Sequence, residues 1–168
     1  MTAKLAEKLA RGGVWFGIAG ETPADAIGDA VEALRLGAGI DKAALVKATV
    51  ERETLMSTGL GDGLAIPHPR LPVVSREEDE LVALCYLQKP VAWGALDGRD
   101  VHAIFLVLSS GTRTHLATLA RLGHLAKDRA FRALLEKRAG KDEMLDFIRA
   151  AEAEWGGKNA KAEVRDGE

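Results

Sequence analysis

Apolar residues in this chain form two kinds of stretch, short continuous runs and longer segments in which they recur at helical spacing. The continuous runs Val14–Ile18, Leu81–Leu87 and Val101–Leu108 predict β-strands. Leu81–Leu87 is almost entirely apolar, which is typical of a central strand covered on both faces. The remaining segments predict amphipathic helices that supply this cover.

Capping residues mark where several of these helices begin. Thr22-Pro23-Ala24-Asp25 combines a hydroxyl N-cap, a proline at the first helical position and an acid in the first turn, and Asp41 can cap the next helix. Helices are therefore predicted over Thr2–Arg11, from Thr22 to Gly37, from Asp41 to about Arg52, from His115 after a Thr112–Thr114 cap, over Phe131–Lys137 and over Met144–Trp155.

The order of these elements predicts the fold class. The turn Leu96–Arg99, which contains Asp-Gly, joins Val91–Ala95 to Val101–Leu108 and requires at least one antiparallel pair. Strands interleaved with helices indicate an α/β protein. We predict a single domain over residues 1–155, with a mixed β-sheet sandwiched between helices, and a polar, flexible tail over residues 156–168.

Length, composition and charge narrow the classes of function. The chain has 168 residues, 47% of them hydrophobic, which suits one globular domain and argues against disorder. A formal net charge of −2 gives no basic surplus for binding nucleic acid, and no apolar run reaches the roughly 18 residues needed for membrane insertion. The single Cys85 and the absence of a signal-peptide pattern after Met1 predict a cytoplasmic protein.

One histidine stands in an unusual setting. Glycines at every second position, Gly59, Gly61 and Gly63, permit backbone angles that other residues avoid, and they lead into an apolar run that ends at His68 between two prolines. We predict a strand over Leu64–His68 with the imidazole at its end, aimed outward, followed by an exposed loop over Pro69–Glu80.

The residues around this histidine resemble a known signature. Glu53, Leu60, Gly61 and the run Leu64-Ala65-Ile66-Pro67-His68 resemble the phosphorylation site of fructose/mannitol-type enzyme IIA domains of the bacterial sugar phosphotransferase system, which include the nitrogen-regulatory enzyme IIA proteins. The resemblance extends from about Leu5 to Trp155 and implies the same α/β architecture. Pro69 is a departure, because the family usually has a small residue there and proline removes a backbone N–H that could contact a phosphoryl group.

The resemblance implies phosphoryl transfer as the function. A neutral imidazole nitrogen of His68 would accept the group from the histidine-containing phosphocarrier protein, and the unperturbed pKa of about 6.5 makes that nitrogen available at neutral pH. We favour a phosphotransferase component, a phosphohistidine carrier, with regulatory output toward a target protein. The alternatives are a sugar-transport enzyme IIA that passes the group to a fructose/mannitol-type enzyme IIB, and a non-catalytic binding module of the same fold.

No cofactor or metal is implied. The glycine-rich stretch follows a helix and precedes a strand, the reverse of a dinucleotide-binding loop, and no Gly-Lys-Ser/Thr follows a glycine loop to bind ATP. A single cysteine and the lack of His-Glu-x-x-His argue against a metal site.

Two further residues are predicted to act with His68. Arg52 is the first candidate: it matches the family's arginine before the glycine loop, and its planar guanidinium suits phosphate oxygens. The alternative is a solvated arginine at a helix end. His115 matches the family's second histidine and lies at a predicted helix start, where a neutral imidazole could donate to a phosphoryl group or orient His68. His102 and His124 are interpreted as structural.

Weaker candidates flank the histidine in sequence. Ser57 and Thr58 correspond to the family's Ser-Thr-Gly sequence and could contact a phosphoryl group, but turn capping is an equal possibility. Arg70 would share a face with His68 in an extended chain, and it could equally be an ordinary surface arginine.

Overall fold

The computed structural model describes residues 4–165, with side chains through residue 158. Residues 2–3 of the first predicted helix and residues 166–168 of the predicted tail lie outside this range. Within it, the helices are α1 (Leu5–Gly12), α2 (Pro23–Ala33), α3 (Lys42–Leu55), α4 (Thr112–Ala126), α5 (Arg129–Glu136) and α6 (Lys141–Arg165). The strands are β1 (Val14–Ile18), β2 (Gly59–Gly61), β3 (Leu64–Ala65), β4 (Leu81–Val91) and β5 (Val101–Leu108), and a 3-10 turn spans Glu77–Asp79.

Across the described residues the strands form one mixed sheet in the order β1-β4-β5-β3-β2. β4 and β5 are antiparallel, β1 runs parallel to β4, and β3 runs parallel to β5. The predicted α/β fold with a mixed sheet is confirmed. The predicted strand over Val91–Ala95 is wrong beyond its first residue, because Val91 is the last residue of β4, where it pairs with Val101, and the Asp-Gly turn follows outside the sheet.

Helices cover both faces of the sheet. Alternate residues of β4 point to opposite sides, so Val82, Leu84 and Tyr86 join one hydrophobic cluster while Ala83, Cys85 and Leu87 join another. The first cluster packs against α1, α4, α5 and α6, and the second against α2 and α3. This double burial explains the continuous apolar run of β4 and confirms the prediction of a central strand.

The predicted N-caps Thr22 and Asp41 are confirmed, whereas the predicted Thr112–Thr114 cap is wrong because Gly111 is the N-cap of α4. The Thr22 hydroxyl accepts a hydrogen bond from the Asp25 amide at 3.2 Å, and the Asp41 carboxylate accepts one from the Ala44 amide at 3.1 Å. Each side chain satisfies one of the amide groups that a helix leaves free at its first turn.

Several predicted helix boundaries are wrong. α2 ends at Ala33, before Gly37, and α3 continues past Arg52 to Leu55 because no glycine or proline interrupts it. α4 begins at Thr112, three residues before His115, with Gly111 as its N-cap. α6 continues past Trp155 to Arg165 and includes Gly156 and Gly157, since glycine weakens a helix by only about 1 kcal/mol per residue. The flexibility of the tail stays a prediction.

The sheet order brings two chain segments together. β3 and β5 are parallel neighbours, so the residues that follow them lie at the same edge of the sheet. His68 follows β3, and Ser109 and the first turn of α4 follow β5. Within residues 4–165, no helix is long and apolar enough to cross a membrane.

Candidate functional site

His68 lies just beyond β3 and is buried. β3 ends at Ala65, but the Val107 amide donates to the Pro67 carbonyl at 3.2 Å, so the chain stays beside β5 up to the histidine. Only 5% of His68 is exposed. The prediction of a strand reaching His68 is therefore wrong, because β3 ends at Ala65. The prediction of an outward imidazole is also wrong, because the His68 ring packs against the His115 ring, with ring centroids 4.7 Å apart.

The hydrogen bond of the His68 ring defines its tautomer. Nδ1 lies 2.7 Å from the carbonyl oxygen of Ile66, and a carbonyl can only accept, so Nδ1 carries the proton. Burial lowers the pKa of His68, and this effect exceeds that of the Ile66 bond, which raises it. The neutral imidazole therefore keeps its free electron pair on Nε2.

His115 lies in the first turn of α4, with its ring inclined at 60° to that of His68. Its Nδ1 is 3.0 Å from the Ser109 hydroxyl, which can donate to this nitrogen or accept from it. Burial, followed by the charge of His68 when protonated, lowers the pKa of His115. The two rings thus form a pair of neutral imidazoles at neutral pH.

Arg52 approaches this pair from the last turn of α3. One guanidinium nitrogen donates to the Met56 carbonyl at 2.9 Å, which holds the half-buried side chain at the helix end. Its positive charge lowers the pKa of both His68 and His115. Arg52 therefore contributes to the electrostatics of both rings, and its planar fork carries further N–H donors for an anion.

Ser57 and Thr58 have partners within the protein. Ser57 donates its hydroxyl to the Trp93 carbonyl at 2.7 Å and accepts from the Gly59 amide at 3.1 Å. Thr58, which is buried, donates its amide and its hydroxyl to the two carboxylate oxygens of Glu53 at 2.8 and 2.7 Å. The Glu53–Thr58 bonds link the last turns of α3 to the residue before β2, and the Ser57–Gly59 bond caps the turn between them. Contact with a phosphoryl group stays a prediction for both residues.

Arg70 lies in a wall of a small cavity shared with His115. The cavity has a volume of about 70 Å³ and is lined by Pro69, Arg70, Leu71, Pro72, Val107, Ser109, Gly111, Thr112 and His115. The Arg70 side chain is exposed. The structure thus brings Arg70 near His115, and its contact with a phosphoryl group stays a prediction.

The other two histidines have separate surroundings. His102 packs on Gly63 and donates its amide to the Gly63 carbonyl at 2.9 Å, and a Cβ at Gly63 would lie 2.3 Å from the His102 ring. His124 is exposed, and its ring contacts Trp155 with centroids 5.5 Å apart.

Sequence reasoning missed two residues beside the histidine pair. Ser109 is buried and contacts His115. The only feature of the sequence that could have indicated it is its position between an apolar strand and a helix start. Glu80 is buried beneath the first turn of α4, although it ends a stretch predicted to be an exposed loop. The sequence feature that could have indicated the burial of Glu80 is its position directly before the apolar run of β4.

This arrangement suits nucleophilic chemistry on an anionic group. Nε2 of His68 has a free electron pair, while Arg52 and His115 can face the charge that develops on an electrophile. Among residues 4–165, no group of three or more His, Cys, Asp or Glu side chains is placed to hold a metal ion. Fold and site together define a small α/β protein with a paired-histidine site at the carboxyl edge of parallel strands.

Comparison with known proteins identifies the family. The model of the phosphoenolpyruvate-dependent sugar phosphotransferase system EIIA 2 family matches residues 13–151. The chain belongs to this family, whose members are phosphotransferase components that carry phosphoryl groups in nitrogen regulation and sugar transport.

The relatives include both kinds of protein. A nitrogen regulatory protein of Klebsiella oxytoca is 33% identical over 118 residues, which cover 67% of this chain and 70% of the relative. The fructose-specific EIIABC component of Bacillus subtilis is 31% identical over 110 residues, which cover 64% of this chain but 17% of that protein.

Solved structures show the same fold. The nitrogen regulatory protein IIA-Ntr of Neisseria meningitidis superimposes with a TM-score of 0.70 at 26% identity, covering 81% of this chain and 92% of that one. The IIA mannitol protein of Escherichia coli superimposes with a TM-score of 0.63 at 21% identity, covering 85% and 96% of the two chains.

Proposed function

We propose that this protein is a phosphohistidine carrier that accepts a phosphoryl group on Nε2 of His68 from the histidine-containing phosphocarrier protein. The observation that carries the proposal is the 2.7 Å contact between His68 Nδ1 and the Ile66 carbonyl, which fixes the proton on Nδ1 and leaves Nε2 as the nucleophile. The lowered pKa of His68 supports it, because the neutral form is the nucleophilic one.

The transfer step needs no cofactor. The electron pair of His68 Nε2 attacks the phosphorus of the donor phosphohistidine, an Nε2–P bond forms, and the N–P bond of the donor breaks with its electrons returning to the donor imidazole. The proton stays bonded to Nδ1 throughout, with the Ile66 carbonyl accepting its hydrogen bond. Negative charge spreads over the equatorial phosphoryl oxygens, where Arg52 and His115 stabilise it, with Arg70, Ser57 and Thr58 as further candidate contacts.

Exposed apolar side chains near the site suit a protein donor. Met56, whose carbonyl accepts from Arg52, is 71% exposed, Leu71 in the cavity lining is 73% exposed, and Leu116 next to His115 in sequence is 60% exposed. Large exposed apolar side chains around a polar centre are typical of protein interaction sites. We infer that they contact the phosphocarrier protein during transfer, and we propose that this reaction takes place in the cytoplasm.

For the output we favour regulation of a target protein. The nitrogen regulatory relative is matched over most of its length, whereas the fructose-specific relative is matched over a small part. The second candidate is delivery to an enzyme IIB, which is favoured by the similarity in fold to the mannitol IIA protein that forms a complex with phosphorylated IIB in Escherichia coli. Capture of cytoplasmic proteins by phosphorylated and unphosphorylated protein distinguishes them: regulation predicts a non-transport protein that binds one state, and transport predicts an enzyme IIB that removes the phosphoryl group.

Intact-mass spectrometry at alkaline pH tests the carrier function. The protein is incubated with phosphoenolpyruvate, enzyme I and the phosphocarrier protein, and we expect a mass gain of one phosphoryl group. His68→Ala should show no gain, and the matched variant His124→Ala, which alters an exposed histidine, should gain as wild type does. A mass gain in His68→Ala would overturn the assignment, and a non-catalytic binding module would show no gain in any variant.

A further inference from the structure

A buried ion pair lies beneath the first turn of α4. Lys8 Nζ in α1 is 2.7 Å from Glu80 Oε2, and the two residues are 6% and 1% exposed. Glu80 Oε1 accepts three more hydrogen bonds, from the Ser110 amide at 2.8 Å, the Ser110 hydroxyl at 2.7 Å and the Thr114 hydroxyl at 2.5 Å. One carboxylate therefore joins α1 to the start of α4.

The network extends along α4 past His115. Lys8 Nζ also donates to the Thr118 hydroxyl at 2.8 Å, and that hydroxyl donates to the Thr114 carbonyl at 2.9 Å. Ser110 and Thr114 lie on either side of the helix start, and His115 directly follows Thr114. The turn that carries the His115 imidazole is thus held at both ends by Glu80 and its partners.

A contribution to folding stability alone does not explain why a buried ion pair is found at this position. Removing two charges from water is costly, and a buried ion pair can often be replaced by apolar side chains without loss of stability. Burial acts to raise the pKa of Glu80, but the hydrogen bonds from Lys8, Thr114 and Ser110 outweigh it and lower the pKa to about 2. The carboxylate thus stays charged, and both oxygens remain acceptors, Oε2 for Lys8 and Oε1 for Ser110 and Thr114.

We propose that Glu80 is a positioning residue: with Lys8, it fixes the first turn of α4 so that the His115 imidazole stays against that of His68 during phosphoryl transfer. This proposal rests on the proposed function for the transfer step. Its physical basis is that a displacement of about 1 Å in a reacting group can slow a reaction about 100-fold. Glu80 acts through His115 and does not itself contact the phosphoryl group.

The test compares two carboxylates that each join helices. Lys8→Met/Glu80→Gln removes both charges together, which avoids leaving one buried charge unpaired. Glu152→Gln is the matched control, because the Glu152 carboxylate joins α6 to the Ala6 amide at 2.7 Å and to Arg121 of α4 at 3.3 Å. Thermal unfolding first establishes that each variant is folded.

Two readouts then separate positioning from stability. The first is the nuclear Overhauser effect between the ring protons of His68 and His115 in the unphosphorylated protein, and the second is the single-turnover rate of phosphorylation. We expect the double variant to lose the ring contact and to react roughly 10- to 100-fold more slowly. Glu152→Gln should keep both at wild-type level even where it lowers the melting temperature.

A titration of His115 adds a third readout. Burial lowers the pKa of His115 most, the charges of protonated His68, Arg52 and Lys8 lower it further, and the charge of Glu80 raises it. A displaced ring would lose its burial and its neighbour His68, the two largest effects, so the His115 pKa should rise in the double variant and stay unchanged in Glu152→Gln. A fall in the double variant would indicate loss of the Glu80 charge with the ring still in place.

A wild-type ring contact and rate in the double variant would overturn the proposal, as would equal losses in Glu152→Gln. If the double variant does not fold, Thr114→Val, which removes only the hydroxyl beside His115, is judged by the same criteria. If the wild-type protein accepts no phosphoryl group, the proposed function fails, and the ring contact in the unphosphorylated variants still decides whether Glu80 positions His115.

Discussion

Replacing Arg52 with alanine should slow phosphoryl transfer to His68 without unfolding the protein. The side chain is half-buried at the end of α3, and its charge lowers the pKa of both histidines. Removing one hydrogen-bond donor that faces developing charge in a water-excluded site raises the activation free energy by about 2.7–4 kcal/mol. Each 1.36 kcal/mol slows the reaction about tenfold. Because Arg52 is partly solvated, we widen the expected loss to roughly 10- to 1,000-fold.

Quench-flow mixing with the phosphorylated phosphocarrier protein measures this loss directly. A single turnover at saturating donor isolates the chemical step from docking. Arg52→Lys keeps the charge but loses the planar fork, so its rate should lie between those of wild type and Arg52→Ala. Arg76→Ala is the control, since Arg76 is exposed and pairs with Asp79 and Glu78 at the surface.

The histidine titrations give an independent check of the same contact. Loss of the Arg52 charge should raise the pKa of both His68 and His115, because that charge lowers both in the wild-type protein. A wild-type transfer rate together with unchanged histidine titrations, in a folded Arg52→Ala variant, would refute the reasoning and make Arg52 an ordinary surface arginine.

Three further predictions concern pH and packing. Since burial lowers the pKa of His68, the transfer rate should stay constant above about pH 6.5 and fall only below it, and a rate that already falls between about pH 8 and 6.5 would contradict this. Glu80 has a folded pKa of about 2, so its ionised carboxylate should add about 3 kcal/mol to the free energy of unfolding above pH 4.5, and this contribution should be lost as the pH falls toward 2. Denaturant unfolding at acid pH should show the loss in wild type but not in Lys8→Met/Glu80→Gln. Gly63→Ala should destabilise the protein by about 2–4 kcal/mol, because the new Cβ would lie 2.3 Å from the His102 ring and residue 63 has a φ of +81°. Gly28→Ala, which adds a Cβ in open space within α2, should stabilise the protein by about 0.5–1 kcal/mol. Thermal unfolding of both variants measures these changes.

The sequence predicted those features of the fold that depend on local chemistry. Thr22 and Asp41 cap their helices as expected because the hydrogen bond spans only three residues. β4 was recognised because burial on both faces requires an uninterrupted apolar run. These signals need no knowledge of the rest of the chain.

The sequence did not predict what depends on distant segments. Thr114 was interpreted as a cap for a helix starting at His115, but its hydroxyl donates to Glu80, and the helix begins at Thr112. Lys8 falls within the helix predicted over Thr2–Arg11 but was not singled out. It is buried because Glu80, 72 positions further along the chain, supplies its charge partner. Neither contact leaves a periodic signal in the sequence.

The candidate site divides in the same way. The glycine-rich stretch and the prolines around His68 indicated a specially placed histidine, and the family resemblance selected His115 and Arg52 as its partners. The burial of His68 was not predicted, because it results from the His115 ring that the parallel pairing of β3 and β5 brings beside it. Ser109 was missed for the same reason, since only the folded chain shows its contact with His115.

The position of the phosphorus on the imidazole tests the central claim most directly. In ¹⁵N-labelled protein phosphorylated by the phosphocarrier protein, long-range ¹H–¹⁵N correlation spectra distinguish the two nitrogens of each histidine ring. Because Nδ1 of His68 donates to the Ile66 carbonyl, the phosphoryl group should be bonded to His68 Nε2, with the proton retained on Nδ1. Phosphorus on Nδ1 of His68, on His115, or on no histidine would contradict the account.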